Sequence, residues 1–193
     1  MLYENGAVIK NNTILNTYYP TSGNGVYLYY SPNSEISGND LTLNGTACQG
    51  IYSSNSGPCK ILKNRINLPN GGYGMYLNYS QATINNRGIV ANNMVSVGGN
   101  SSNTAYGIYD YYCSYTDYYY NTCHLTSANS NGQAFHFDYH FNSSENIINN
   151  IASNMGSGLA LYVTNGNNTI KSMNYNNWYA AGTTLGSYNG ANY

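Results

Sequence analysis

Short runs of alternating apolar and polar-tipped residues recur along this chain, as in Val26-Tyr27-Leu28, Met75-Tyr76-Leu77 and Leu161-Tyr162-Val163. A two-residue rhythm turns one face toward a core and the other toward solvent, which predicts half-buried strands. No window places apolar residues at helical spacing. The central tyrosines form a ladder of Tyr3, Tyr27, Tyr52, Tyr76, Tyr109, Tyr162 and Tyr188, with His136 at the remaining step. Most rungs follow a small residue and an apolar one. Recurrence every 24 to 33 residues predicts a repeat architecture in which each unit buries its apolar face against its neighbours.

A second ladder runs out of phase with the first, through Asn12, Asn39, Asn64, Asn92, Asn121, Asn149 and Asn176. Two positions beyond each lies an apolar or bulky residue: Ile14, Leu41, Ile66, Met94, Cys123, Ile151 and Trp178. Each unit therefore reads as a strand, a fairly constant connection, a turn at asparagine, a second strand and a variable arm. Asparagine suits the turn because it tolerates left-handed backbone, and stacked asparagines can hydrogen-bond along the stack.

The repeated Gly-(apolar)-Tyr-(apolar) and Asn-x-(apolar) elements resemble the right-handed parallel β-helix repeat family, shared by pectate lyases, NosD-like periplasmic proteins and many bacterial surface proteins. The resemblance spans essentially the whole chain. It implies an all-β, right-handed parallel β-helix of about seven coils, with residues 1–193 forming one segment. Fold alone does not assign function, because the family includes lyases, hydrolases and non-catalytic stalks.

Composition narrows the function classes. Charged residues make up 7% of the chain and the net charge is −1, so electrostatics draws it to neither nucleic acid nor an anionic membrane. No apolar run approaches 18 residues, so insertion of a membrane helix is not expected. Met1-Leu2-Tyr3 and Gly186-Ser187-Tyr188 already occupy strand positions, with no capping element beyond them. Exposed parallel edges invite aggregation, so the expectation is a piece of a longer chain whose caps and flanking coils lie elsewhere. Met1 to Lys10 lacks the basic start and apolar centre of a secretory signal. Four cysteines permit two disulfides, with Cys48 and Cys59 as one local couple and Cys113 and Cys123 as another.

Candidate chemistry is sparse. Within Ala134–Phe141, alternation puts Phe135, Phe137, Tyr139 and Phe141 on one face and His136, Asp138 and His140 on the other. The second set offers acid–base groups, His136 and Asp138, and a possible metal couple, His136 and His140. The alternative is a solvated strand face. Asp110 falls near Asp138 on the neighbouring coil and is the other candidate acid, although alternation sends it inward. Glycoside hydrolysis needs two carboxylates flanking one bond. The Asp-Asp pair and Gly-His-Gly element of polygalacturonases do not occur here, and neither does the acid cluster of pectate lyases. Lys60, Lys63, Arg65 and Arg87 form a basic grouping able to meet uronate carboxylates. No phosphate loop or cofactor motif is present, so no cofactor is expected.

The tyrosines remain, 24 in 193 residues. Tyr27, Tyr52, Tyr76, Tyr109 and Tyr162 are the candidate ligand-binding residues. Tyr29, Tyr30, Tyr79, Tyr111, Tyr112 and Tyr139 widen the stripe, although alternation places Tyr139 with Phe135 and Phe137 on the face that turns toward the core. Aromatic faces with polar tips suit sugar rings, and the same rings stabilise a sheet by stacking on one another. The resulting expectation is a non-catalytic β-helix segment at the cell surface or outside the cell (the periplasm included), serving as a stalk or adhesive with polysaccharide or cell-surface glycan as partner. The alternatives are a polysaccharide lyase or glycoside hydrolase, and a NosD-like metal-handling protein.

Overall fold

The computed structural model describes residues 4–17, 21–138, 144–164 and 170–193, and every regular element among them is a strand. Each coil contributes one strand to each of three sheets. The first stacks Val8–Lys10, Glu35–Ser37, Lys60–Leu62, Gly88–Ala91, Thr116–Tyr119, Glu145–Ile148 and Ile170–Asn174. The second stacks Thr13–Asn16, Asp40–Leu43, Arg65–Leu68, Met94–Val97, Thr122–Leu125, Ile151–Asn154 and Asn177–Ala180. The third runs from Ser22–Tyr29 through Ala47–Ser54, Gly72–Asn78, Ala105–Tyr111, Gln133–Asp138 and Leu159–Val163 to Gly186–Tyr188. All these pairings are parallel. Ala191–Asn192 then turns back antiparallel on Gly186–Tyr188, so the last strand of the third sheet is paired on that side.

The connection before each asparagine turn carries a third strand that the sequence pattern does not announce. It is only three to five residues long and usually turns one large residue inward. Those residues stack as Ile36, Ile61, Val90, Tyr118 and Ile147, all fully buried or nearly so. Facing them are Leu41, Ile66, Val95, Cys123 and Ala152 from the second sheet and Val26, Ile51, Met75, Ile108 and Phe135 from the third. The core is thus a set of one-residue-per-coil columns.

The asparagine ladder is Asn12, Asn39, Asn64, Asn93, Asn121, Asn150 and Asn176, which corrects two rungs from 92 to 93 and from 149 to 150. Asn92 and Asn149 occupy the left-handed position immediately before each rung, at φ 57° and 58°. Asn11, Gly38, Lys63, Tyr120 and Tyr175 hold the same position in the other coils. The rung itself is therefore not the left-handed residue. Its amide joins two neighbouring coils: Asn64 donates its backbone N–H and one side-chain N–H to Asn93 Oδ1, and the other side-chain N–H to the Ile36 carbonyl. With the shift, Val95 and Ala152 fill the core, while Met94 and Ile151 are exposed.

A second amide ladder lies between the second and third sheets. The side chains of Asn44, Asn70, Asn103 and Asn129 donate in turn to the carbonyls of Asn16, Asn44, Asn70 and Asn103, at 2.9, 2.8, 2.7 and 2.6 Å. It falls in the variable arm, where insertions hide its period. Cys48, Cys59, Cys113 and Cys123 are buried thiols, in place of the two disulfides their number permits. Burial pushes all four above the ordinary thiol range, Cys59 to about 11.

Candidate functional site: an aromatic face on the third sheet

Strict alternation fails at an equivalent point in neighbouring strands of the third sheet, and the failure shapes this surface. In Gly72–Asn78, Gly74 and Met75 are both buried. In Ala105–Tyr111, Gly107 and Ile108 repeat the arrangement. A Cβ on Gly74 would stand 2.2 Å from Val95 Cγ1 and 2.6 Å from the Gly107 carbonyl oxygen, so only glycine lets the strand pass this close to the opposite wall. The double inward step brings residues three apart onto the same outer face. Tyr73 consequently joins Tyr76, and Tyr106 joins Tyr109, with ring centroids 5.1 and 4.9 Å apart. The sequence reading missed Tyr73 and Tyr106 because it extended the alternation through the glycine. The repeated Tyr-Gly-(Met/Ile)-Tyr at 73–76 and 106–109 was the available signal.

The main column runs Tyr27, Tyr52, Tyr76, Tyr109, His136 and Tyr162 in continuous register. Tyr3 lies outside the described residues. The last rung is Ser187, since Tyr188 pairs with Val163 and turns inward. A one-residue shift reverses a strand side chain, and Tyr188 there lines an apolar cleft with Leu161, Met173 and Trp178. Tyr27 and Tyr52 stack at 5.0 Å and 11°, and Tyr52 and Tyr76 at 5.1 Å and 20°. Tyr109 then turns edge-on to Tyr76 at 89°, and His136 lies 4.0 Å from Tyr109 and 4.7 Å from Tyr162. Burial first, then neighbouring ionisable groups, push the Tyr76 and Tyr109 phenols well above their ordinary range, so they act as neutral donors and acceptors.

Two further columns flank the first. Tyr29, Ser54, Asn78, Tyr111 and Asp138 share one register. At the next turn Tyr30, Asn55, Tyr79 and Tyr112 all adopt left-handed backbone, with φ between 48° and 54°. Tyr79 and Tyr112 stack at 4.8 Å and 4°.

The acid–base candidates are placed differently from one another. His136 is 6% exposed, enclosed by Tyr109 and Tyr162; its Nδ1 meets Gln133 Oε1, and its Nε2 stands 3.5 Å from Asp138 Oδ2. Asp138 also accepts a hydrogen bond from Thr164. Asp110 points into the core, fully buried, where the Tyr118 phenol and the Cys113 N–H donate to it. Asp110 pairs in register with Phe137, so the two acids occupy opposite faces of the sheet and do not form a couple across one cleft. His140, with Tyr139 and Phe141, lies outside the described residues. Among those described, no group of three or more His, Cys, Asp or Glu is placed to hold a metal ion.

The basic grouping is also divided. Arg65 pairs with Asp40, and Arg87 pairs with Asp117, its Nε donating at 2.7 Å. Lys60 stays exposed, and Lys63 sits in a left-handed turn.

A family model described as a right-handed beta helix region matches residues 1–109, more than half of the chain. The chain belongs to the right-handed β-helix family. Membership in this family agrees with the three stacked parallel sheets and the one-residue-per-coil core. No curated protein and no solved structure matches the chain.

Proposed function

We propose that this β-helix is a non-catalytic surface segment, exported from the cell, that acts as a stalk or adhesive by contacting carbohydrate through the third sheet. The observation that carries the reading is the set of parallel aromatic columns on one outer face. Tyr27, Tyr30 and Tyr79 are each more than 40% exposed there. Rings that present an apolar body with a hydroxyl tip match saccharides, which carry C–H faces and hydroxyl edges. The scarcity of charge agrees with an uncharged or weakly charged partner.

A carbohydrate-active enzyme is the second reading, favoured by the contact between His136 and Asp138. One assay separates the two. The folded chain is incubated with plant, algal and bacterial polysaccharides, and retention is measured together with new reducing and unsaturated ends. Retention without new ends is the expected result. New ends would replace the adhesive reading by the enzymatic one, and their type would separate hydrolase from lyase. Neither retention nor new ends on any polysaccharide would sink both. Within the binding reading, the double variant Tyr27→Ala with Tyr79→Ala should lower retention at least tenfold while its circular dichroism stays unchanged.

A further inference from the structure

Stacking consumes ring faces. Inside a stacked run such as Tyr27, Tyr52 and Tyr76 each ring covers the next, leaving edges and hydroxyls outward, so a sugar can lie face-to-face on a ring where such stacking is interrupted. The turn column is interrupted once among Tyr30, Asn55, Tyr79 and Tyr112. All four share the same left-handed backbone, so their side chains leave the coil at equivalent points. Tyr79 and Tyr112 show what two tyrosines do there: they lie parallel at 4.8 Å, one strand spacing apart. Replacing the ring by the short amide at Asn55 leaves Tyr30 and Tyr79 two spacings apart, about 9.6 Å, with room for one ring between their levels. Tyr30 is 44% exposed, with the Tyr29 ring packed perpendicular to it at 4.5 Å, and Tyr79 is 41% exposed.

The floor of the gap is polar. The Asn55 side chain donates to Ser54 Oγ at 3.1 Å, and Asn78 Nδ2 approaches the same oxygen at 3.4 Å. An aromatic wall on each side of an amide-and-hydroxyl floor has the composition that recognises a pyranose: apolar contact above and below, hydrogen bonds at the edge. None of the residues forming it is charged. We infer that the gap at Asn55, between Tyr30 and Tyr79, is a saccharide subsite that takes one ring of a neutral glycan. This rests on the carbohydrate reading proposed above and deepens it.

The test is to fill the gap. Asn55→Tyr continues a column in which tyrosine already adopts this backbone at 30, 79 and 112, so the fold tolerates it. Retention of the full chain is measured on cellulose, mannan and chitin as neutral probes, and on polygalacturonate and alginate as acidic ones. The expected result is retention on a neutral probe, lowered at least tenfold by Asn55→Tyr and by Tyr79→Ala, and unchanged by Tyr175→Ala. Tyr175 is highly exposed at the different turn that precedes Asn176. Unchanged retention of Asn55→Tyr, with Tyr27→Ala weakened, would overturn the subsite and leave the aromatic face standing. Retention only on acidic probes would overturn the neutral class. Failure of the unaltered chain on every probe would remove the carbohydrate reading itself. Self-association abolished by Asn55→Tyr would assign the gap to a protein side chain.

Discussion

Asn93 donates both its backbone N–H and a side-chain N–H to the Oδ1 of Asn121, at 3.1 and 2.9 Å, so one oxygen in each coil satisfies two donors from the coil before it. Its remaining side-chain N–H reaches the Ile61 carbonyl at 2.8 Å, and its own Oδ1 receives the equivalent pair from Asn64. Asn93→Ala would strand buried donors on Asn64, each costing about 1–3 kcal/mol. A loss of about 3 kcal/mol in urea unfolding is expected. Asn92→Ala affects only the left-handed turn residue and should cost about 1–2 kcal/mol. Equal losses at the two positions would contradict the assignment of the rung to Asn93.

Gly74→Ala should destabilise by about 1–3 kcal/mol or more, since the new methyl would meet Val95 Cγ1 and the Gly107 carbonyl. Gly23→Ala is the contrasting case. A Cβ at Gly23 meets nothing within 4 Å, and thermal unfolding should change little. Tolerance of Gly74→Ala would show that the close approach of the third sheet to the second is slack.

Thiol accessibility checks the core from another direction. Because burial raises all four cysteines and the thiolate is the reactive form, an aromatic disulfide reagent at pH 8 should label the native protein very slowly. After denaturation without reductant it should titrate four thiols. A count of two or none would indicate disulfides.

Acid should weaken the contact between Arg87 and Asp117. Burial raises the Asp117 carboxyl, but hydrogen bonds from Arg87 and Asn146 outweigh that and hold it below its ordinary value. A depressed folded-state pKa gives stability that is fully present above the unfolded value, about 4, and is lost as pH falls through the folded one. Asp117→Asn should therefore cost on the order of 2 kcal/mol at pH 7. The difference from the unaltered chain should close below about pH 4. A pH-independent difference would assign the effect to packing alone.

The periodic residues by themselves determined the solenoid. Tyr27, Tyr52, Tyr76 and Tyr109 recur because each coil must place an equivalent side chain at an equivalent point, and that demand is written one residue at a time. Asparagines at the turn were legible for the same reason, but within Asn92-Asn93 and Asn149-Asn150 spacing cannot say which residue bends the chain and which bridges coils. That choice belongs to backbone conformation and to the neighbouring coil. The short strands of the first sheet went unseen because one inward residue is too few to show a period. Tyr73 and Tyr106 reached the outer face only through the double inward step at Gly74 and Gly107, where Val95 and Cys123 of the facing wall crowd the space a Cβ would need. Asp110 and His136 show the limit most plainly: alternation gives the face of each, whereas the degree of enclosure, by Tyr118 in the core and by Tyr109 and Tyr162 on the surface, comes from side chains on other strands. Local periodicity set the coil, and packing between coils decided which groups meet solvent.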